Sequence, residues 1–369
     1  MPNSRRRLRI AMVLDDGLDN PDGVQQYILD VGRWLKLQGH SVDYLVGQTK
    51  RTDIDDVYSM SRNFGVTSNG NSMSIPLPSS SRSIKQHFKD HKYDVLHVQT
   101  PYSPFMGAKC IKYVDKSTAV IGTFHIMPNS RLISFANNSL GIWLHKSLKR
   151  FDKMLSVSTA AQKFAKQSFR IDSNVLPNVV DYARFSQANI RSEFDDETVN
   201  ILFLGRLVPR KGCLTLLEAV KKLSETKDLP KYRVIICGKG PLDKELRDFV
   251  AANQLDSVVK FEGFVSEADK PSYYASADIA AFPSIAGESF GIVLIEAMAA
   301  GSAVLAASNP GYASVLEPFE NALFEPKDSD ALASKLHKLI TDSVYRKECA
   351  IKQADYAKQF DINTVGAML

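Results

Sequence analysis

The chain has 369 residues, 44% hydrophobic and 24% charged, with a formal net charge of +5, values of a globular protein long enough for two ordinary domains. Its four cysteines, Cys110, Cys213, Cys237 and Cys349, are scattered without metal-ligand spacing, which argues against a disulfide framework and for a reducing compartment. No uncharged apolar run approaches the ~20 residues of a membrane span, and LRIAMVL is cut off by Asp15 and Asp16, so no signal peptide is expected.

In chain order, LRIAMVL (8–14) predicts a buried strand, VQQYILDVGRWLKLQGH (24–40) an amphipathic helix ended by Gly39, and SVDYLVG a second strand. YDVLHVQ (93–99), AVIGTFH (119–125) and KMLSVS (153–158) are further short apolar runs separated by helical patterns. A second series follows: NILFLGR (200–206), RVIICG (233–238), VVKFEG (258–263), IAAFPS (279–284) and AVLAAS (303–308). This alternation predicts two doubly wound α/β domains in tandem. They are expected at 1–178 and 200–354, with a polar joint at 179–199 and a weakly helical tail, 355–369, crossing back toward the first domain. Residues 1–180 hold 24 Lys and Arg against 14 Asp and no Glu, while the rest carries −5. A basic half beside an acidic one suits an anionic partner, or is ordinary solvated surface.

The run GESFGIVLIEAMAAG (287–301) sets Glu288 in a Gly-bounded loop and Glu296 inside an apolar helical pattern. A carboxylate in such a helix needs a partner, because a buried unpaired charge is costly. The helix start beside Gly287 and Gly291 offers backbone N–H groups to an anion. Two carboxylates for hydroxyl groups and a helix start for phosphate match the needs of a nucleotide sugar. Upstream, FLGRLVPRKG (203–212) puts Arg206 at a strand end and Lys211 in the following loop, where open α/β domains bind ligands. The pair is suited to a departing diphosphate, or is two solvated loop charges. Gly23 in NPDGVQQY permits close backbone approach, or is a structural turn glycine. His125 ends its strand as a ligand contact or as a satisfied structural histidine. SRSIKQHFKDHK (81–92) spaces Arg82, Lys85, Lys89 and Lys92 on one helical face, with Ile84 and Phe88 on an adjacent apolar stripe. That pattern suits a helix lying on an anionic membrane, or an ordinary solvated helix.

Together these motifs resemble the retaining family-four glycosyltransferases of the GT-B fold, with two Rossmann-like domains facing each other across a cleft, and most closely the phosphatidylinositol mannosyltransferase branch. The likeness spans nearly the whole chain and is strongest over 200–301; DGVQQY, DVLHVQTPYSP, GTFH, SVSTAAQKF and LPNVVDYARF also carry it. It implies that Glu288 contacts hydroxyls of the transferred sugar and Glu296 those of the ribose. Arg206 and Lys211 would hold the diphosphate, with backbone N–H groups of Ser289, Phe290, Gly291 and Ile292. Gly23 would approach the donor phosphate, and His125 would hydrogen-bond the sugar. FEGFVSEADK (261–270) aligns with the base-binding loop. There Val265 would give backbone contacts and Glu267 would accept the N–H donors of guanine.

The implied activity is retaining transfer of a hexosyl group, mannose from GDP-mannose, to a lipid or glycan acceptor such as phosphatidylinositol. The leaving phosphate would take the acceptor's proton, with no metal and no permanently bound cofactor. Asp15 and Asp16 stand near the end of the first strand, and Asp16, Asp22 and Gln25 are candidate acceptor contacts. Arg82, Lys85, Phe88 and Lys89 are candidate membrane contacts, for a peripheral protein on the inner face of the plasma membrane with no nucleic-acid partner. Two departures bear on the acceptor. Asp22-Gly23 stands where the branch has two glycines, and LDDG where it has an aromatic residue; an added carboxylate would repel the phosphate of phosphoinositol. The chain also stops early for the family, at Leu369, so a short last helix is expected. Alternatives are a UDP-sugar-dependent transferase of cell-envelope polysaccharide synthesis, a sugar-nucleotide epimerase, and a non-catalytic nucleotide-sugar-binding protein.

Overall fold

A computed structural model describes residues 6–19, 22–68, 71–77, 79–125 and 147–369, with only the backbone described for 64–68 and 71–76. The chain forms two compact units, the first from residues up to 68, 72–179 and 365–369, the second chiefly from 180–364.

The first unit contains β1 (Arg9–Leu14), β2 (Ser41–Val46), β3 (Val57–Ser59), β4 (Asn63–Ser68), β5 (Asn71–Pro76), β6 (Val95–Val98), β7 (Ala119–Phe124), β8 (Lys153–Ser156) and β9 (Asn174–Val175). Seven of these make one sheet in the order β3-β2-β1-β6-β7-β8-β9, and β4 and β5 make a two-stranded sheet. Neighbours in the large sheet run parallel, with Ile10 opposite Val42 and Val95. Ala11 to Val13 are fully covered, as in strands with helices on both faces. Helices α1 (Gly23–Leu37), α2 (Ser81–Asp90) and α3 (Met106–Tyr113) connect the strands.

The second unit holds β10 (Val199–Leu204), β11 (Tyr232–Cys237), β12 (Val259–Gly263), β13 (Ile279–Phe282), β14 (Ala303–Ala307) and β15 (Leu323–Phe324) in the order β12-β11-β10-β13-β14-β15, again parallel. Of the expected joint, 179–199, residues 180–199 belong to this unit and carry the short helix Tyr182–Ser186. In the tail, Ile362 and Val365 are buried, and residues 365–369 cluster with the first unit, where a Cβ on Gly366 would sit 2.9 Å from the Trp34 ring. This is the two-domain α/β GT-B fold.

Strand order reverses next to the first strand of each sheet: β6 flanks β1, and β13 flanks β10. Such switch points leave an opening at the carboxyl ends of the strands, where ligands bind in open α/β sheets. The segments after β1, β10 and β13 carry most of the donor and acceptor candidates, while His125 follows β7, and Val265 and Glu267 follow β12.

Candidate active site

In the second unit, β10 delivers the chain to Arg206, and a 3₁₀ turn at Pro209–Lys211 follows. The turn closes on Gly212, whose φ of 70° is left-handed. A Cβ there would sit 2.0 Å from the Pro283 carbonyl oxygen, so only glycine lets this loop press against the end of β13. Two further bonds join the loops: Ile285 N–H donates to Arg210 O at 2.7 Å, and Ser284 Oγ to the same oxygen at 3.1 Å.

The result is a compact charge cluster. Arg210 Nη1 and Lys211 Nζ each donate to Glu288 Oε1 at 2.8 Å, and Ser284 Oγ donates to it at 2.7 Å. Among the described residues Glu288 Oε2 receives no hydrogen bond, so it remains an acceptor for a hydroxyl group. Burial alone would raise the Glu288 pKa; Lys211, Arg210 and their hydrogen bonds outweigh it and hold the carboxyl below its usual range. Burial also lowers the Lys211 pKa, Glu288 opposes this, and the nearby Arg210 and Arg206 reinforce it. Two cations on one carboxylate leave local positive charge, suited to a diphosphate. Lys211 thus meets Glu288 directly, and Arg206 lies near enough to Lys211 to act on its charge. Arg210 was missed: three cations fall within six residues, and strand periodicity does not say which ones turn inward.

Gly291 caps the helix Ile292–Ala299 with φ 115°. A Cβ there would meet the Tyr312 ring at 2.6 Å. Phe290 is buried against the Phe360 ring, 5.6 Å away edge-on. The loop from Gly287 is therefore anchored by Phe290, and the helix begins at Ile292, whose N–H is the first of its unpaired donors.

Glu296, the residue that the resemblance assigns to the ribose, has the partners that its apolar helix requires. It is 3% exposed, its Oε1 accepts from Lys270 Nζ at 3.0 Å and its Oε2 from the Tyr274 hydroxyl at 3.2 Å. Lys270 also pairs with Glu267 at 2.7 Å, so the expected guanine acceptor already holds a cation. Arg184 donates to the Glu267 carbonyl, tying the loop to the helix Tyr182–Ser186. Val265 is half-buried on this loop and the neighbouring Phe264 is exposed. Lys270 and Tyr274 were not foreseen; the only signal was that Glu296 required a partner.

In the first unit, His125 follows β7 and is buried. Its Nε2 lies 2.8 Å from Gln99 Oε1, and the Tyr27 ring meets it edge-on at 4.9 Å. Burial first, then His97, lowers its pKa to about 3, so the imidazole is neutral. Asp15 is buried at the end of β1, accepting from Gly107 N–H at 2.6 Å and from the Ser103 hydroxyl. Burial raises its pKa to about 6 against those two hydrogen bonds. It closes the N-terminus of α3 rather than standing open. Gln25 is likewise internal: Nε2 donates to Asp16 Oδ2 at 3.3 Å and Gly17 O at 3.4 Å. Asp22 is the N-cap residue of α1, and Gly23 its first residue.

One membrane expectation is corrected. Phe88 is 6% exposed and, with Ile84, belongs to the hydrophobic core against β1 and β6. The apolar stripe of α2 is used to pack the helix, which leaves Arg82, Lys85 and Lys89 on its exposed face. Lys85 Nζ stands 5.1 Å from the Tyr113 ring centroid and Lys112 5.5 Å, so α3 extends the cationic face. Leu77, 46% exposed, and Phe105, 41% exposed, flank the first turns of α2 and α3. No described helix is long and apolar enough to cross a membrane.

The glycosyl transferases group 1 family matches residues 186–358, and glycosyltransferase family 4 matches residues 21–184. A phosphatidyl-myo-inositol mannosyltransferase of Mycolicibacterium smegmatis is 30% identical over 98% of this chain and 92% of its own. That of Mycobacterium tuberculosis strain H37Rv is 28% identical over 98% and 95%. The chain is a retaining family-four glycosyltransferase, in the branch of these mannosyltransferases. Among solved structures, the sucrose-phosphate synthase of Thermosynechococcus elongatus superposes with a TM-score of 0.78 at 19% identity, covering 98% of this chain and 97% of that one. A glycosyltransferase from Rickettsia africae gives 0.75 at 20% identity, covering 98% and 96%. Both share this transferase's GT-B fold.

Proposed function

We propose that this transferase moves mannose from GDP-mannose to a lipid acceptor of the phosphatidylinositol class, with retention, at an anionic inner membrane surface. The observation that carries the reading is the cluster of Arg210, Lys211 and Glu288 at the switch point of the second sheet. Lys211, Arg210 and Arg206 hold the donor diphosphate together with the N–H groups of Ser289 to Ile292, and Glu288 Oε2 accepts from a hydroxyl of the sugar. Glu296 serves the ribose from its fixed position between Lys270 and Tyr274. His125 hydrogen-bonds the transferred sugar, Gly23 approaches the donor phosphate, and Asp16 and Asp22 flank the acceptor. The leaving phosphate takes the acceptor's proton, which leaves no task for a carboxylate nucleophile; Asp15 is occupied by the start of α3.

Donor and acceptor rest on the relatives. Besides the two mannosyltransferases above, a Corynebacterium glutamicum relative, 24% identical over 94% of this chain and 91% of its own, is named a GDP-mannose-dependent phosphatidylinositol monomannoside mannosyltransferase. Glu267 and Val265 supply the base contacts, with Lys270 holding Glu267 in place. Membrane contact comes from Arg82, Lys85 and Lys89, joined by Leu77 and Phe105 in place of Phe88.

A vesicle experiment tests this reading. Vesicles containing phosphatidylinositol should bind the protein and accept sugar from GDP-mannose in preference to UDP-sugars. Replacing Arg82, Lys85 and Lys89 by Gln should weaken vesicle binding ~10²-fold, at roughly 1 kcal/mol per basic side chain. Equal binding to neutral and anionic vesicles would reject the membrane surface. Preference for a UDP-sugar would reject the donor.

A further inference from the structure

We propose that Gln99 is a positioning residue, which fixes the tautomer and ring orientation of His125 so that its Nδ1 faces the substrate as a hydrogen-bond acceptor. The inference rests on the reading of His125 as a sugar contact and adds the group that makes that contact possible.

The two residues come from adjacent strands. Gln99 follows β6 and His125 follows β7, which pair in parallel with Val98 opposite Gly122. The main chain of Gln99 is pinned by its N–H donating to Val13 O at 2.9 Å, and its side chain is fully buried. Gln99 Oε1, an acceptor only, lies 2.8 Å from His125 Nε2. A neutral imidazole has one N–H, so that proton sits on Nε2 and Nδ1 keeps its lone pair. Histidine function commonly depends on which nitrogen a neighbour claims.

The surroundings leave this task to Gln99. His97, facing from β6, is engaged with Thr123 Oγ1 at 2.7 Å, and Tyr27, facing from α1, presents a ring edge. Among the described residues those two are the titratable groups beside His125, and neither is a carboxylate that would hold an imidazolium. Among the described residues Gln99 Nε2 is buried without a hydrogen-bond partner. Nδ1 therefore offers a lone pair to which one sugar hydroxyl can donate.

The test joins NMR with kinetics. In ¹⁵N-histidine-labelled protein the resonance of His125, assigned by its loss in His125→Gln, should report the Nε2–H tautomer and no titration between about pH 5 and 8. Gln99→Glu keeps the size and the hydrogen bond but adds a charge that stabilises imidazolium. Its His125 should titrate within that range, and its transfer rate should fall below the new pKa, as Nδ1 becomes a donor. Gln99→Leu should lower kcat about tenfold with little change in donor KM, and GDP binding should stay as in the wild type. An Nδ1–H tautomer in the wild-type protein, or a Gln99→Glu variant whose His125 does not titrate, would overturn the proposal. The expected tautomer without transfer from any nucleotide sugar would support Gln99 and overturn only the transfer reading.

Discussion

Glu288→Ala is expected to lower sugar transfer by ~10²-fold or more, the scale of losing one fixed electrostatic group at a reacting centre. The side chain has two tasks. Its Oε2 accepts from the sugar, and its Oε1 holds Arg210, Lys211 and Ser284 within 2.8 Å. Without it two cations face each other with no carboxylate between them, and both turn away from the positions that neutralise a diphosphate. Lys211→Ala should cost a similar factor, and Arg210→Ala tests the residue that sequence reasoning passed over. Glu288→Gln retains the shape and an acceptor oxygen, so it should lie between wild type and Glu288→Ala. The measurement is kcat/KM for the donor, with folding followed by circular dichroism. Turnover near wild type in Glu288→Ala or Lys211→Ala would remove the assigned roles.

Lys270→Met is expected to be the most destabilising of these substitutions, by ~3–5 kcal/mol, the range for removing one partner of a buried ion pair. Lys270 is 9% exposed. Burial lowers its pKa, but Glu296 and Glu267 more than offset this, and the net shift is upward. Methionine fills the space and removes the ammonium group that two carboxylates share, one of them 3% exposed. In this variant burial favours the protonated form of Glu296 in the folded state. The unfolded chain then binds fewer protons than the folded one, so the variant's stability falls as pH rises above the ordinary glutamate pKa. Its deficit should therefore be largest near neutrality and shrink toward acid pH. Adding Glu296→Gln should recover part of the loss, a coupling that a double-mutant cycle isolates. Urea unfolding of the second unit provides the check; a Lys270→Met midpoint equal to the wild type's would show that the pair adds no stability.

The parallel sheets were legible because their central strands are buried on both faces, which gives continuous apolar runs such as NILFL and AVLAA with turn residues after them. The candidate ligand loops were legible as charged or glycine-rich segments at the ends of those runs. Side-chain direction was not. Phe88 and Lys85 lie on one amphipathic helix, and the pattern says that one stripe is buried without saying whether protein or membrane covers it. The core cluster of β1, β6 and α3 decides for protein. Glu296 announced the need for a partner, but Lys270 lies 26 positions upstream, a separation that no local period reports. Gln99 and His125 are likewise 26 apart and meet only because β6 and β7 pair in register. The β4–β5 pair had no alternating signal strong enough to predict it.

The central claim, retaining transfer of mannose to a phosphatidylinositol-type lipid, is tested most directly by the anomeric configuration of the product. Purified protein, GDP-mannose and phosphatidylinositol vesicles should give a mannosylated lipid whose anomeric NMR signals are those of the α-linkage present in the donor. A β-linked product, or release of GDP with no sugar on the lipid, would contradict it.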